Sequence, residues 1–475
     1  MLFNSLAFLA FFPIVFGLYW TVFKNSLKYQ NILLLIASYV FYGWWDWRFL
    51  SLVIFSSGAD YLIGRAIESQ TEERKKKRFM LLSVALNLGF LMYFKYFNFF
   101  VDSFIEAMTS VGVDLNWSLA KIILPVGISF YTFQTLSYTI DIYRGNLKAA
   151  NNPINFFAFV SFFPQLVAGP IERAADLLPQ FSVKRKLSYQ EGVNALRQIL
   201  YGFFKKVVIA DNIATQVDYI YQNYEVMSSV DLGLGAIFFT VQIYCDFSGY
   251  SDIAIGTAKL LGFELKPNFN FPFYSANMTE FWRKWHISLS SWIKDYLFTP
   301  LAIHFRNLEA KGVALAIGLA FTLNGFWHGA AWTFLVWGFI HGVVLSFESL
   351  TKKKRKKLKK KVNKKLYMQL SVVLTFVYWT LSLIMFRASS LDQGLGYFKR
   401  MLTFESFSVF RKLFLIYLII SIIFVFVERL QKHRNHVLEI DHLPKWMRFS
   451  VYYLLMFAII YLGNHSNQSF IYFQF

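Results

Sequence analysis

Residues 312–347, GVALAIGLAFTLNGFWHGAAWTFLVWGFIHGVVLSF, run for thirty-six positions without an Asp, Glu, Lys or Arg, yet hold two histidines, His328 and His341. A straight helix of that length would be about 54 Å long, well beyond a hydrocarbon core of about 30 Å. The segment must therefore break or turn, and Asn324-Gly325-Phe326-Trp327-His328-Gly329 is the natural place. Backbone freed at such a break cannot face lipid; it is buried in protein or lines a watered cavity. This puts an imidazole beside a helix break at membrane depth, and an ionisable group there is a functional-site candidate by default.

The rest of the chain agrees with a membrane setting. Of its 475 residues 56% are hydrophobic and only 16% charged, against roughly 25% charged in soluble domains. Apolar runs recur from end to end, without the short alternating segments of a membrane β-barrel. The expectation is an all-α polytopic membrane protein, one unit over 1–475. The opening MLFNSLAFLAFFPIVFGLYW lacks a basic n-region and a small-residue cleavage site, and reads as a retained first span. The net charge of +20 invites a nucleic-acid reading, but much of it sits in two clusters, 74–78 and 352–365, each flanking an apolar span. That is the positive-inside pattern of cytoplasmic loops facing lipid headgroups, and no nucleic-acid partner is expected.

Spans are expected near 5–23, 31–45, 49–64, 79–99, 122–142, 154–171, 193–211, 232–256, 312–347 as two, 366–387, 412–428 and 448–463, some broken or re-entrant, giving roughly eleven to thirteen membrane segments. With the basic clusters inside, loop 100–118 lies outside, and it carries Asp102, Glu106 and Asp114 with no Lys or Arg. Both termini and a tail at 464–475 are then extracytoplasmic.

Three further segments carry polar chemistry. In 275–301, Asn277 and Glu280 fit a capped helix start. On one continuous helix Phe281, Trp285, Ile293 and Leu297 share a face, and Trp282 stacks on the side of His286, four residues on. His286 is either a catalytic group or an imidazole satisfied by a neighbouring carboxylate. Asp246 and Asp252, six apart within an apolar span, are costly unless partnered; they orient a histidine, cap a broken helix or bind a polar substrate. Pro164 and Pro170, the latter preceded by Gly169, break a helix. The single Cys245 excludes an intrachain disulfide and reads as packing, and with no His-Glu-x-x-His motif no metal site is expected.

Together, Phe163-Pro164 through Ile171, Cys245-Asp246-Phe247-Ser248-Gly249-Tyr250-Ser251-Asp252, Phe281-Trp282-Arg283-Lys284-Trp285-His286 and Asn324-Gly325-Phe326-Trp327-His328-Gly329 resemble, in order, the signatures of the membrane-bound O-acyltransferase (MBOAT) family. The resemblance is nearest its bacterial alginate O-acetylation branch and extends to the ending FIYFQF. It implies a central tunnel or funnel in which an acyl group passes from a thioester donor to a hydroxyl. His328 matches the family's nearly invariant histidine and His286 the second histidine of the bacterial branch. Trp282, Trp285, Asn324, Trp327, Asp246 and Asp252 are supports for substrate or tunnel. The chemistry suits imidazole, because a hydroxyl attacking a thioester must lose its proton as the C–O bond forms. His341 falls in no motif and reads as packed.

The same resemblance implies acetyl-CoA or another acyl thioester as donor substrate with no bound cofactor, and an exported polysaccharide such as alginate as acceptor. It also implies an extracytoplasmic esterase-like partner with a Ser/His/Asp site, and residence in the bacterial cytoplasmic (inner) membrane. The Phe-x-Tyr-x-x-Phe pattern at 470–475 resembles the C-terminus of a small partner in the teichoic-acid D-alanylation system. Tyr472 is then an acyl relay, or else an interfacial aromatic anchor. Two rival functions are a lipid or protein O-acyltransferase with a long-chain donor, and a proton-coupled secondary transporter, although the repeat symmetry expected of the latter is not visible.

Overall fold

The computed structural model describes residues 1–115, 121–167, 169–403, 412–432, 434, 437–464 and 470–471. Among these residues the regular structure is helical throughout, without a strand. Among the described residues eight helical segments are long and apolar enough to cross a membrane by length and composition, and two shorter apolar helices cover Leu6–Val22 and Pro153–Leu166. The spans expected at 31–45 and 49–64 fall on two helices, Leu27–Asp46 and Leu50–Ser69, joined by a 3₁₀ turn at Trp47–Phe49 where Asp46 is extended (φ −159°, ψ 109°) and caps the Arg48 N–H. The chain divides into two compact units, residues 1–195 with 254–266, and residues 196–253 with 267–475.

In the first unit a buried polar knot joins three helices. The Asp60 carboxylate accepts from Ser83 Oγ at 2.6 Å and Asn87 Nδ2 at 2.8 Å, while Thr135 donates to Asn87 Oδ1 at 3.1 Å. The expected proline break is present. The Pro153–Ser161 helix ends at Phe162, whose ψ of 108° leaves the helical region before the short turn Phe163–Leu166 begins.

The second unit holds the opening feature of the sequence. Its apolar run folds as a hairpin of two helices, Glu309–His328 and Trp332–Leu350, broken only at residues 329–331. The helix thus continues through the Asn-Gly-Phe-Trp-His motif and stops immediately after His328, where Gly329 turns extended (φ −160°, ψ 146°). Leu315, Leu319 and Leu323 on one helix and Phe339, Val343 and Phe347 on the other are exposed, at the four-residue spacing of an outward ridge. The inner faces carry small residues instead. A Cβ on Gly325 would run into the Phe334 carbonyl and lie 2.8 Å from Gly338 Cα, and one on Gly342 would lie 2.9 Å from Gly318 O. Such close crossings are how helices associate where no hydrophobic force separates protein from lipid.

The segment 275–301 departs from its expected form. Asn277 does cap a helix, its side chain accepting from the Glu280 N–H, but that helix is only Met278–Trp282. The chain then turns at His286, which adopts a left-handed conformation (φ 43°, ψ 55°) before the helix Ile287–Ile293. Phe281, Trp285, Ile293 and Leu297 therefore do not form one continuous helical face, and Trp282 does not stack over His286. Local polar capping won over apolar periodicity: the carboxylate of Glu348, near the end of the second hairpin helix, accepts from the N–H groups of Met278 and Thr279 at 2.9 Å each and so fixes where the short helix begins.

Because the hairpin crossing has no room for a methyl group, Gly325→Ala should destabilise the protein by about 1–3 kcal/mol. A lowered midpoint of thermal unfolding in detergent, together with reduced activity, is the expected readout.

Candidate active site

Both histidines singled out by motif are buried in the second unit, and they share a neighbour. His328 ends the first hairpin helix. Its ring lies 4.9 Å from Trp327, 5.3 Å from Trp337 at an interplanar angle of 89°, and 5.4 Å from Phe386. His286 meets Phe247 edge-on at 4.6 Å and has the same Trp327 indole at 6.2 Å. Trp327 thus stands beside two imidazoles that lie forty-two residues apart in sequence. Edge-to-face contacts of this kind orient a ring without consuming its nitrogens.

Around them is an aromatic wall. Phe281, Trp285 and Trp379 pack at 4.3–5.6 Å, and Trp282 joins Trp337 at 5.8 Å. His341 belongs to that wall: it is fully buried, with Trp337 at 4.8 Å and Nε2 at 3.0 Å from Ser382 Oγ, as its packing role requires. Asn324 is buried one turn before His328 on the same helix. Cys245 is buried and free. Among the described residues no group of three His, Cys, Asp or Glu side chains could hold a metal ion.

The two aspartates have partners that periodicity did not reveal. The helix carrying them, Ser229–Leu260, is unbroken, so neither caps a break. Lys206 Nζ lies 2.6 Å from Asp246 Oδ1 and 2.8 Å from Asp211 Oδ1, and Lys205 Nζ lies 2.6 Å from Asp252 Oδ2. Gln198 Nε2 donates to the other oxygen of Asp252 at 2.8 Å. Both lysines lie on a π-helical stretch, Phe204–Ala210, whose widened turn lets consecutive side chains reach one neighbouring helix. The helices approach closely enough for this because Gly202 and Gly249 meet face to face: a Cβ on either would lie 2.7–2.8 Å from the other's carbonyl oxygen. Nearby, Glu428 accepts from Tyr244 at 2.5 Å and Tyr201 at 3.2 Å.

Asp246 does one thing more. Its Oδ2 accepts the Ile471 N–H at 2.8 Å, and the Phe470 ring packs on Tyr250 at 4.8 Å and on Phe247 at 5.8 Å. Phe470 and Ile471 are buried. Phe470 and Ile471 are therefore fastened to the helix whose Phe247 touches His286. Tyr472 lies outside the described residues.

Lys205, Lys206, Glu428 and the His286 partner Asn268 were not singled out from the sequence. For the lysines a signal existed: two adjacent lysines inside the apolar span 193–211 and two aspartates inside 232–256 are a complementary set. For Asn268, in Lys266-Pro267-Asn268-Phe269, no pattern pointed to a role.

The described residues thus form an all-helical membrane protein with two imidazoles buried beside one indole. Residues 147–391, which contain both histidines and both aspartates, match the model of the MBOAT, membrane-bound O-acyltransferase family, and the chain belongs to that family. It is 40% identical over 420 residues to a probable alginate O-acetylase of Pseudomonas aeruginosa, covering 86% of this chain and 76% of the relative. A peptidoglycan O-acetyltransferase of Helicobacter pylori is 33% identical over 447 residues, covering 86% and 81%. A teichoic acid D-alanyltransferase of Streptococcus thermophilus is 28% identical over 281 residues, covering 54% and 65%.

Breaking a buried ion pair strands a charge, at a cost of about 3–5 kcal/mol, whereas replacing both partners by neutral groups is far milder. Lys205→Met should therefore abolish accumulation of folded protein, and Lys205→Met combined with Asp252→Asn should restore much of it, as read by size-exclusion chromatography in detergent.

Proposed function

We propose that the chain transfers an acetyl group from a cytoplasmic thioester donor, acetyl-CoA, toward an exported polysaccharide, from a seat in the bacterial cytoplasmic (inner) membrane. The observation that carries this is the pairing of His328 and His286 about Trp327 within the region that matches the acyltransferase family. The names of the relatives from Pseudomonas aeruginosa and Helicobacter pylori supply the acetyl group and the class of acceptor, alginate in one and peptidoglycan in the other.

In this mechanism an acceptor hydroxyl bonds through oxygen to the thioester carbonyl carbon. The His328 imidazole takes the hydroxyl proton as that bond forms. The C–S bond then breaks, and the thiol leaves with the proton. His286 orients the donor or assists the proton transfer, and Trp327 between the two rings, with the aromatic wall of Trp282 and Trp285, keeps water from competing for the thioester.

The tail supplies an acceptor. That acceptor is Tyr472, the next residue in sequence after Ile471. Its phenol receives the acetyl group and presents it to an extracytoplasmic esterase-like protein with a Ser/His/Asp site, which passes it to the sugar. Both termini are extracytoplasmic in this reading, with the Lys352–Lys361 helix on the cytoplasmic side.

His328→Ala should lower transfer of radiolabel from acetyl-CoA into membranes by 10²- to 10⁴-fold at normal protein levels; retained transfer would remove His328 from the mechanism. Palmitoyl-CoA should be a poor donor in the same assay, and a preference for it would reassign the substrate. Tyr472→Phe should abolish polysaccharide acetylation in cells, whereas full acetylation at normal protein levels would end the relay reading and leave the tail as an anchor.

A further inference from the structure

The left-handed turn at His286 is held by one side chain from another part of the unit. Asn268 is buried, and it grips the turn at both main chain and side chain. Its carbonyl oxygen accepts the Ile287 N–H at 2.9 Å, and two residues on, the Asn270 N–H donates to Lys284 O at 3.0 Å. These two bonds tie residues 268–270 to residues 284–287. A non-glycine residue at positive φ costs about 1–2 kcal/mol, persists only where its surroundings over-determine it, and clusters at functional sites.

The Asn268 side chain then sets the ring. Its Oδ1 lies 3.3 Å from His286 Nδ1 and accepts from Ser288 Oγ at 2.6 Å, and its Nδ2 donates to Ser251 Oγ at 3.0 Å. A carboxamide oxygen only accepts, so the ring nitrogen facing it carries the proton. In a neutral imidazole the lone pair is then on Nε2. Ser251 sits on the same long helix as Asp246 and Phe247, so the amide is referenced to the element that carries the tail contact.

We propose that Asn268 is the positioning residue for His286: it fixes the ring in the Nδ1–H form and presents the Nε2 lone pair to the proton transfer that His328 carries in the acyl-transfer step. The proposal rests on the reading of His286 as part of that mechanism. The balance is simple. His328 gains the proton that the acceptor hydroxyl loses and returns it to the departing thiol; Nε2 of His286 accepts a hydrogen bond during that transfer, and its Nδ1–H stays bonded to Oδ1 throughout. The arrangement resembles the carboxylate that orients a catalytic histidine, with an amide in its place. An amide supports the ring's geometry without the charge that would hold the imidazolium.

The test follows from that last difference. In membrane vesicles bearing the full chain, acetyl transfer from acetyl-CoA is measured against pH for the wild type, Asn268→Asp and Asn268→Ala. A carboxylate beside Nδ1 favours the charged ring and raises its pKa. His286 then becomes protonated and loses its Nε2 lone pair at a higher pH, so the acid limb of the Asn268→Asp rate profile should move up by about one to three units, with activity recovered at alkaline pH. Asn268→Ala should lower kcat at least tenfold over the whole range, with the KM for acetyl-CoA unchanged. An Asn268→Asp profile that superimposes on the wild type, while His286→Ala is inactive, would overturn the proposal and leave the role of His286 intact. An active His286→Ala would overturn that role, and the proposal with it. Should the Asn268 variants fail to reach the membrane, Ser251→Ala unties the amide from its other side and should lower kcat severalfold; an unchanged kcat counts against the proposal.

Discussion

Ammonium groups taken out of water must be matched by anions, and the second unit has to match two of them at consecutive positions. Lys205 and Lys206 are both buried, and their carboxylate partners Asp252 and Asp246 lie on one helix. An isolated ion in such surroundings would cost several kcal/mol, so the pairing admits one register of the long helix against the π-helical stretch. Everything near the candidate site inherits that register. Phe247 reaches His286, Ser251 reaches Asn268, and Asp246 is left with one oxygen for Ile471. Replacing the pairs by well-packed apolar groups could serve stability equally well; what the ions specify is the alignment.

The hairpin solves a different problem. Its outer ridge of Leu and Phe is as apolar as lipid, so apolarity alone cannot hold the two helices together. Glycines at the crossing let the backbones touch, and dispersion over that contact takes over. One consequence is positional: the end of the first helix, and with it His328, is set by backbone rather than by adaptable side chains.

Much of this was legible in the sequence. An apolar run too long for one helix demanded the break that falls after His328, and the paired motifs named the two imidazoles that meet at Trp327. Intramembrane aspartates demanded partners. What the sequence hid was relational. No periodicity says that Lys205 and Lys206 face Asp252 and Asp246, because that depends on a widened turn and a Gly202–Gly249 approach. The segment after Asn277 carries a helical pattern, yet capping by Glu348 and the left-handed residue at 286 cut it into two short pieces. Asn268 acts across eighteen residues of chain, and neither its neighbours nor its spacing mark it. The acidic pair suggested a histidine-orienting carboxylate, whereas His286 has an amide and the carboxylates have lysines.

The backbone of His286 carries an implication for anyone wishing to probe the site by subtraction. At φ 43° a glycine is more comfortable than any L-residue. Deleting the side chain to glycine would therefore relax the turn while vacating a ring-sized hole lined by Phe247 and the Asn268 amide. That is the geometry in which a small exogenous base, free imidazole or a methylated cousin, can dock and stand in for what was removed. The same strain that aims the natural ring makes its position unusually suited to chemical complementation.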